Sequence, residues 1–194
     1  SDCVTGPIWT TAGTGTCTGA GCISVALDPV TGSQTKTFTV YGCVPLGQIG
    51  AAAGNYTDTV NMRIRNAANT AWLIAAQTFP VSITNPASCS VTSITNVNLS
   101  YTSFAASDST ASGTITLNCT SQLPYRMTLD SYSGALVGLN YTLDINGSTS
   151  PVDSRGTGPG QTHTVNGRIA AGQSGTCALA SCNASQTHTL TVTW

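Results

Sequence analysis

The chain carries the stretch THTVNGRIAAGQSG, from Thr162 to Gly175, which repeats an earlier stretch, TFTVYGCVPLGQIG, from Thr37 to Gly50. The two stretches agree at seven of fourteen positions, at a constant offset of 125 residues. A second match pairs Tyr56–Ile64 with Gln186–Trp194 at an offset of 130. The offsets far exceed the roughly 20 to 50 residues of stacked repeats, so they indicate a duplicated β module rather than a solenoid.

The repeat predicts the domain organisation. Residues 79–194 form a complete second module of roughly 115 residues, a common size for a β sandwich. Residues 67–78 are the linker, and residues 1–66 match only the last part of a module. We therefore expect the front portion of the first module to be missing from this sequence.

The composition favours strands and limits the possible partners. The sequence has no Glu and a single lysine, Lys36, whereas Thr, Ser, Asn and Gly, all poor helix formers, are abundant. The formal net charge of −1 provides no basic surface for nucleic acid or anionic lipid. No run approaches the roughly 20 apolar residues of a membrane helix. The chain begins at Ser1, which predicts a trimmed, exported precursor.

Alternating apolar and polar residues predict an antiparallel, all-β sandwich for each module. In the second module, Phe79, Val81 and Ile83 alternate in the first predicted strand. The next strands are predicted at Gly113–Cys119, Tyr125–Leu129, Leu139–Ile145, Thr162–Val165 and Thr187–Val192. Turns are predicted at Asn146-Gly147 and Gly158-Pro159. In the first module, strands are predicted at Ile23–Leu27, Phe38–Cys43 and Tyr56–Ile64.

Eight cysteines fall into two groups of four: Cys3, Cys17, Cys22 and Cys43, then Cys89, Cys119, Cys177 and Cys182. An even count without clustered histidines indicates disulfides formed in an oxidising compartment rather than a zinc site. The preferred pairing joins Cys17 to Cys22, Cys177 to Cys182, Cys3 to Cys43 and Cys89 to Cys119. The sequence alone leaves the connectivity open.

Two segments of the first module are unusually apolar for loops. One lies between Val44 and Asn55 and contains Pro45, Leu46, Ile49, Ala51, Ala52 and Ala53; the other contains Pro7, Ile8 and Trp9. Strand alternation places the Val44–Asn55 loop at the distal pole of the first module, away from the linker. These side chains either fold back into the core or form an exposed patch, and an exposed patch usually marks an interaction site.

Catalytic groups are scarce. His163 and His188 lie on predicted strands, where a strand-surface or half-buried structural histidine is the expected role. Asp28, Asp108 and Asp153 lie in predicted turns, where Asp commonly bonds to the local backbone. No nucleophile motif, phosphate-binding glycine loop or paired carboxylates are evident. We expect no catalytic site, metal or cofactor.

The chain resembles the spore coat U domain of archaic, Csu-type chaperone–usher pilus subunits. The resemblance lies in ASCSVTSITNVNLSYTSF, ASGTITLNCTSQLPYRMTLD, TVNGRIAAGQ and THTLTVTW, and in TVYGCVPLGQIGAAAGNYTDTVNMRI of the first copy. It implies an immunoglobulin-like sandwich that lacks its last strand, with Cys89 paired to Cys119. It also implies that a periplasmic chaperone, and later the amino-terminal donor strand of the adjacent subunit, fills the open groove, after delivery to an outer-membrane usher.

Within that resemblance, two tandem modules are most similar to a tip adhesin. The expected chaperone and donor-strand contacts are Phe79, Val81, Ile83, Leu190, Val192 and Trp194. The first module would attach to an abiotic or host surface at the pilus tip and support biofilm formation. The alternatives are a structural or adaptor pilin without a receptor, and a glycan-binding lectin using Trp9, Tyr41 and Asn55.

Overall fold

The computed structural model describes residues 44–62 and 77–194, together with Thr35, Thr37 and Ile64. Every regular element in these ranges is a β-strand. The strands are β1 (Gly54–Met62), β2 (Gln77–Asn85), β3 (Cys89–Ile94), β4 (Ser109–Cys119), β5 (Pro124–Leu129), β6 (Ser133–Leu136), β7 (Leu139–Ile145), β8 (Val152–Arg155), β9 (Gln161–Ile169) and β10 (Leu190–Thr193). The described ranges contain no helix long and apolar enough to cross a membrane.

Two sheets form an antiparallel sandwich. One has five strands in the order β3-β4-β9-β7-β6, and the other has three in the order β10-β5-β8. Their inner faces share one hydrophobic core, in which Leu117, Met127 and Ile145 are the largest fully buried side chains. The fold is therefore all-β, as predicted, and it is consistent with an immunoglobulin-like sandwich.

The sandwich belongs to a compact unit that comprises Ile49–Asn55 and Thr84–Trp194. We call it the sandwich unit. Most of β1 and β2 belongs to a second unit, in which these two strands pair in a two-stranded sheet. The strand containing Phe79, Val81 and Ile83 thus exists, but it pairs with β1 and not within the sandwich, whose first strand is β3. Alternation predicts a strand equally well for either partner, so the sequence does not specify which strand it pairs with.

Most of the predicted strands of the sandwich are present. β4, β5, β7 and β9 cover the four central predictions, whereas β10 begins only at Leu190, three residues later than predicted. Asn146 and Gly147 both have positive φ, at 51° and 84°, as expected of a hairpin turn with this dipeptide. The strands predicted at Ile23–Leu27 and Phe38–Cys43 lie outside the described residues.

The sandwich unit has two ends, which we name for one residue at each. The Phe104 end contains loops 102–106, 137–138 and 170–182, beside the start of β10. The Ser121 end contains turns 120–123, 146–150 and 156–160, beside the end of β10. The antiparallel registers between neighbouring strands define this arrangement.

Candidate functional site

The outer edge of β10 is unpaired in the described part of the chain. β10 pairs with β5 on one side only, with Leu190 opposite Leu129 and Val192 opposite Met127. The pair next to Leu190 and Leu129 is Thr189 and Asp130, and this pair is hydrogen-bonded, because the Asp130 N–H donates to the Thr189 carbonyl at 3.0 Å. Antiparallel ladders alternate, so the backbone groups of Leu190 and Val192 point away from β5. The edge therefore presents backbone donors and acceptors to a further strand.

Val91 and Ile94 of β3 lie on the core side of the sheet, but they remain exposed to solvent. Val91 lies opposite Leu117, which is 1% exposed, and Ile94 lies opposite Ile115, which is 5% exposed. Yet Val91 is 48% exposed and Ile94 is 63% exposed. Laterally paired residues point to the same face of a sheet, so these two apolar side chains border an open part of the interior.

The segment that follows β3 is extended but joins no sheet in the described part of the chain. Val97, Leu99 and Tyr101 alternate inward and pack against the core. Within the described residues, no backbone group from Asn96 to Tyr101 bonds to another backbone group. Gly167 allows this segment to approach closely, since a Cβ there would lie 2.6 Å from Val97 Cγ1. The sandwich thus has a second extended stretch, which packs through its side chains and whose Ser100 carbonyl accepts a hydrogen bond from the Ser109 hydroxyl at 2.5 Å.

A histidine network holds β10 near its start. The His188 Nδ1–H donates to Asp130 Oδ1 at 2.8 Å, and His188 Nε2 lies 2.7 Å from the Tyr141 hydroxyl. Tyr141 in turn donates to Gln186 Oε1 at 2.7 Å. The hydrogen bond from His188 is the largest cause that lowers the pKa of Asp130. Burial, with a smaller contribution from Asp130, raises the pKa of Tyr141. These bonds tie the chain before β10 to β7.

His163 occupies a buried site between the two sheets. The side-chain oxygen Oδ1 of Asn146 accepts from the Thr164 N–H at 2.8 Å, so the Asn146 side-chain Nδ2–H must donate to His163 Nδ1 at 2.9 Å. The neutral ring then carries its proton on Nε2 and donates it to the Tyr125 hydroxyl at 2.7 Å. Burial lowers the pKa of His163. The sequence predicts a strand-surface or half-buried structural histidine; His163 lies on β9, as predicted, but it is buried rather than half-buried.

The outer face of the three-stranded sheet carries an exposed ion pair. Arg126 donates Nε–H and Nη2–H to the two carboxylate oxygens of Asp153 at 2.6 and 2.9 Å. The Arg126 hydrogen bond holds the pKa of Asp153 below its usual range. Trp194 is largely exposed and lines an open cleft of about 580 Å³ with these two residues and Arg155. Solvent screening makes such pairs weak contributors to stability.

The apolar segment after Val44 is exposed at its large side chains. Val44 and Ile49 are more than half exposed, Pro45 is exposed and Leu46 is fully exposed. The three alanines, Ala51, Ala52 and Ala53, are half-buried. Pro7, Ile8 and Trp9 lie outside the described residues, as does Tyr41, whereas Asn55 accepts a hydrogen bond from the Thr84 hydroxyl at 2.9 Å.

The distal placement of this segment is wrong for Ile49–Asn55. Ala52 forms a parallel bridge with Ser121, and the Asn85 side-chain amide donates to the carbonyls of Ala51 and Ala52 at 3.1 and 2.8 Å. These residues therefore belong to the sandwich unit. Strand alternation failed here because it assigned the whole Val44–Asn55 loop to the first module, whereas its last part bonds to Asn85 and bridges Ser121.

Two disulfides occur among the described residues. Cys89 is joined to Cys119 across β3 and β4, and Cys177 is joined to Cys182 in a short loop. Both bridges belong to the preferred pairing. The other four cysteines, Cys3, Cys17, Cys22 and Cys43, lie outside the described residues.

The sequence identified β10 but missed β3. Leu190 and Val192 are half-buried on the core side, as the alternation predicts. Val91 and Ile94 are three residues apart, a spacing that puts side chains on opposite faces of a regular strand. The register shifts between Val91 and Ser93, and this bulge returns Ile94 to the core side. A bulge leaves no reliable trace in an alternation pattern.

A comparison with known families bears on this site. Residues 75–144 match the Spore Coat Protein U domain. The match spans β2 through β7, about a third of the chain. No curated protein matches the chain significantly. The Spore Coat Protein U domain suggests a fimbrial subunit exported to the cell surface through chaperone–usher assembly, a structural or adhesive family rather than an enzymatic one.

Proposed function

We propose that the sandwich unit accepts a β-strand from the amino-terminal segment of another pilus subunit, and from a periplasmic chaperone before that. The edge of β10 that no described strand pairs carries this proposal, because Leu190 and Val192 direct their backbone groups outward while their side chains face the core. Strand addition uses this combination: backbone hydrogen bonds give affinity, and pockets for alternate side chains give specificity.

The open interior beside β3 supports the same role. An added strand would bring apolar side chains against Val91 and Ile94, which are about half exposed. Covering the exposed part of each would contribute about 1 kcal/mol. Strand addition would also satisfy the outward backbone groups of β10, which have no backbone partner in the described ranges, and an unpaired edge is prone to aggregation.

A proline substitution tests the proposal. Val192→Pro removes an N–H that points to the free edge and leaves the β5 ladder intact, as edge strands allow. Val192→Ala is the matched control, since it keeps the N–H and only shortens the side chain. We expect Val192→Ala to co-purify with the chaperone from the periplasm and Val192→Pro to be lost from that complex. Equal recovery of a folded Val192→Pro variant would contradict strand addition at this edge.

A finer proposal is that the subunit is a tip adhesin that attaches to apolar surfaces. Its support is the fully exposed Leu46 in a segment that also exposes Val44, Pro45 and Ile49. Leu46→Asp should reduce cell attachment to polystyrene several-fold and leave the amount of chain in sheared pili unchanged, because exposed positions tolerate substitution. Thr149→Asp, at an exposed polar position, is the control.

Undiminished attachment of the Leu46→Asp strain would favour the structural or adaptor pilin instead. A lectin role predicts specific binding on a glycan array that the Leu46 substitution does not affect. Binding to polystyrene without binding to glycans would favour the hydrophobic mode of attachment.

A further inference from the structure

Phe104 has an unusual backbone conformation for an aromatic residue. Its φ is +59°, in the left-handed region that bulky side chains rarely adopt, and its side chain is 73% exposed. The strain therefore does not serve to bury the ring in this unit. Backbone outliers of this kind concentrate at functional positions, where the surrounding structure maintains them.

Hydrogen bonds between two loops hold this conformation. The loop around Phe104 bonds to the loop that follows β9: the Phe104 N–H donates to Gln173 O at 2.8 Å, the Gly172 N–H donates to Ala105 O at 2.9 Å, and the Ser103 hydroxyl donates to Ser174 O at 2.6 Å. The exposed ring is thus presented by a braced turn. A rigid aromatic side chain loses little conformational entropy when a partner covers it.

A second large apolar side chain is presented at the same end. Leu179 is 76% exposed within the loop closed by Cys177 and Cys182. Just before this loop, the Thr176 N–H donates to the Val137 carbonyl at 2.7 Å, which fastens it to the β6–β7 turn. The Phe104 end therefore carries two exposed apolar residues, Phe104 on a loop held by hydrogen bonds and Leu179 on a loop closed by a disulfide.

The direction of β10 indicates what reaches this end. β10 runs from the Phe104 end, where Leu190 lies opposite Leu129, towards the Ser121 end. The strand pairs described in the sandwich are antiparallel. A strand added to β10 in the same sense runs the opposite way to β10, so its carboxyl end emerges at the Phe104 end. If that strand is an amino-terminal extension, the body of the donating subunit follows directly from that point.

We propose that Phe104 and Leu179 form a contact surface for the sandwich of the subunit that donates the strand. This inference rests on the proposed strand addition and extends it to a second contact between the same two molecules. The contact fixes the orientation of the donating subunit on this one, because a few anchor residues carry most of the binding energy of an interface.

Site-specific photo-crosslinking in assembled pili tests the surface separately from strand addition. p-Benzoylphenylalanine replaces Phe104, Thr191 on β10, or Thr149 at the Ser121 end, and pili are sheared from irradiated cells. We expect positions 104 and 191 to crosslink to the same neighbouring subunit and position 149 to give no such product. A crosslink from 191 alone would overturn the contact surface and retain strand addition. Absence of a crosslink from position 191 would overturn both strand addition at β10 and the contact surface. A crosslink from position 149 to that subunit would show that the added strand runs parallel to β10, and it would overturn the contact surface at the Phe104 end.

A substitution separates this role from folding. Phe104→Asn places a residue that tolerates positive φ at the turn, so the thermal unfolding temperature of the variant should stay the same or rise. Its dissociation from pili in mild denaturant should become roughly tenfold faster, the loss typical of one interface anchor. Wild-type dissociation would contradict the proposal, and a clear loss of thermal stability would show that Phe104 serves the fold instead.

Discussion

Replacement of the buried histidine should change how the stability of the sandwich depends on pH. Asn146 and Tyr125 hold His163 as a neutral ring, and burial lowers its pKa. Tyr125 is the ionisable side chain that bonds to the ring. Asp144 pairs with Asn166, and both lie on the face of the sheet that points away from His163. In the unfolded chain the same histidine takes up a proton below about pH 6.5.

The direction of the effect follows from that difference. As the pH falls below the unfolded pKa, the unfolded state binds a proton that the folded state does not, so stability is lost. If His163 stays neutral in the fold down to pH 5, the loss between pH 7 and pH 5 reaches about 2 kcal/mol. Above pH 7 the group contributes no pH dependence, because it is neutral in both states.

Urea unfolding of the wild type and of His163→Gln, at pH 7 and at pH 5, measures this effect. We expect His163→Gln to be less stable at pH 7, because it disturbs a buried hydrogen-bond network, but to lose less stability on acidification. The two proteins differ in the stability that they lose between pH 7 and pH 5, and this difference is the contribution of His163, since the His188–Asp130 pair is common to both proteins. Parallel pH dependence in both proteins would refute the proposed neutral site.

Further predictions concern the covalent and packing constraints of the sandwich. Removal of the bridge that joins Cys89 to Cys119, 30 residues apart, should lower the free energy of unfolding by about 3 to 4 kcal/mol, and chemical denaturation of the Cys→Ala double variant measures it; an unchanged midpoint would contradict this. Gly167→Ala should destabilise the fold by about 1 to 3 kcal/mol, because its Cβ would lie 2.6 Å from Val97 Cγ1. Gly147→Ala should cost less, since a Cβ there meets no atom within 4 Å and only its φ is unfavourable; a larger loss at Gly147 would refute the packing argument.

The sequence predicted the centre of the sandwich well because its strands are regular. From Gly113 to Cys119, alternate residues are buried, and the Asn146-Gly147 dipeptide marks its turn by residues that accept positive φ. The composition alone favours strands over helices. These features depend on local residue choice, which a sequence displays directly.

The short strands were missed because their residues carry little periodic signal. β6 and β8 have four residues each, and Ser133–Leu136 and Val152–Arg155 contain few apolar side chains. Their pairing with β7 and β5 supplies the regularity. The last strand begins at Leu190 and not at the predicted Thr187, because the side chain of His188 bonds to Asp130 and Tyr141.

Only part of the candidate site could be predicted. Leu190 and Val192 follow from alternation, but the partner of a strand does not, so β2 was assigned to the sandwich although it pairs with β1. Phe104 carries no signal in the sequence, because neither a positive φ nor the exposure of a single aromatic residue can be deduced from residue type. Such features depend on tertiary contacts between loops distant in sequence.

Residue-specific amide hydrogen exchange on β10 tests the central claim most directly. In the isolated chain, the Thr191 and Thr193 amides point to β5 and should be protected, whereas the Leu190 and Val192 amides should exchange rapidly. In the complex with the chaperone, all four should be protected. Protection of Leu190 and Val192 in the isolated chain, or their continued rapid exchange in the complex, would contradict strand addition at the β10 edge.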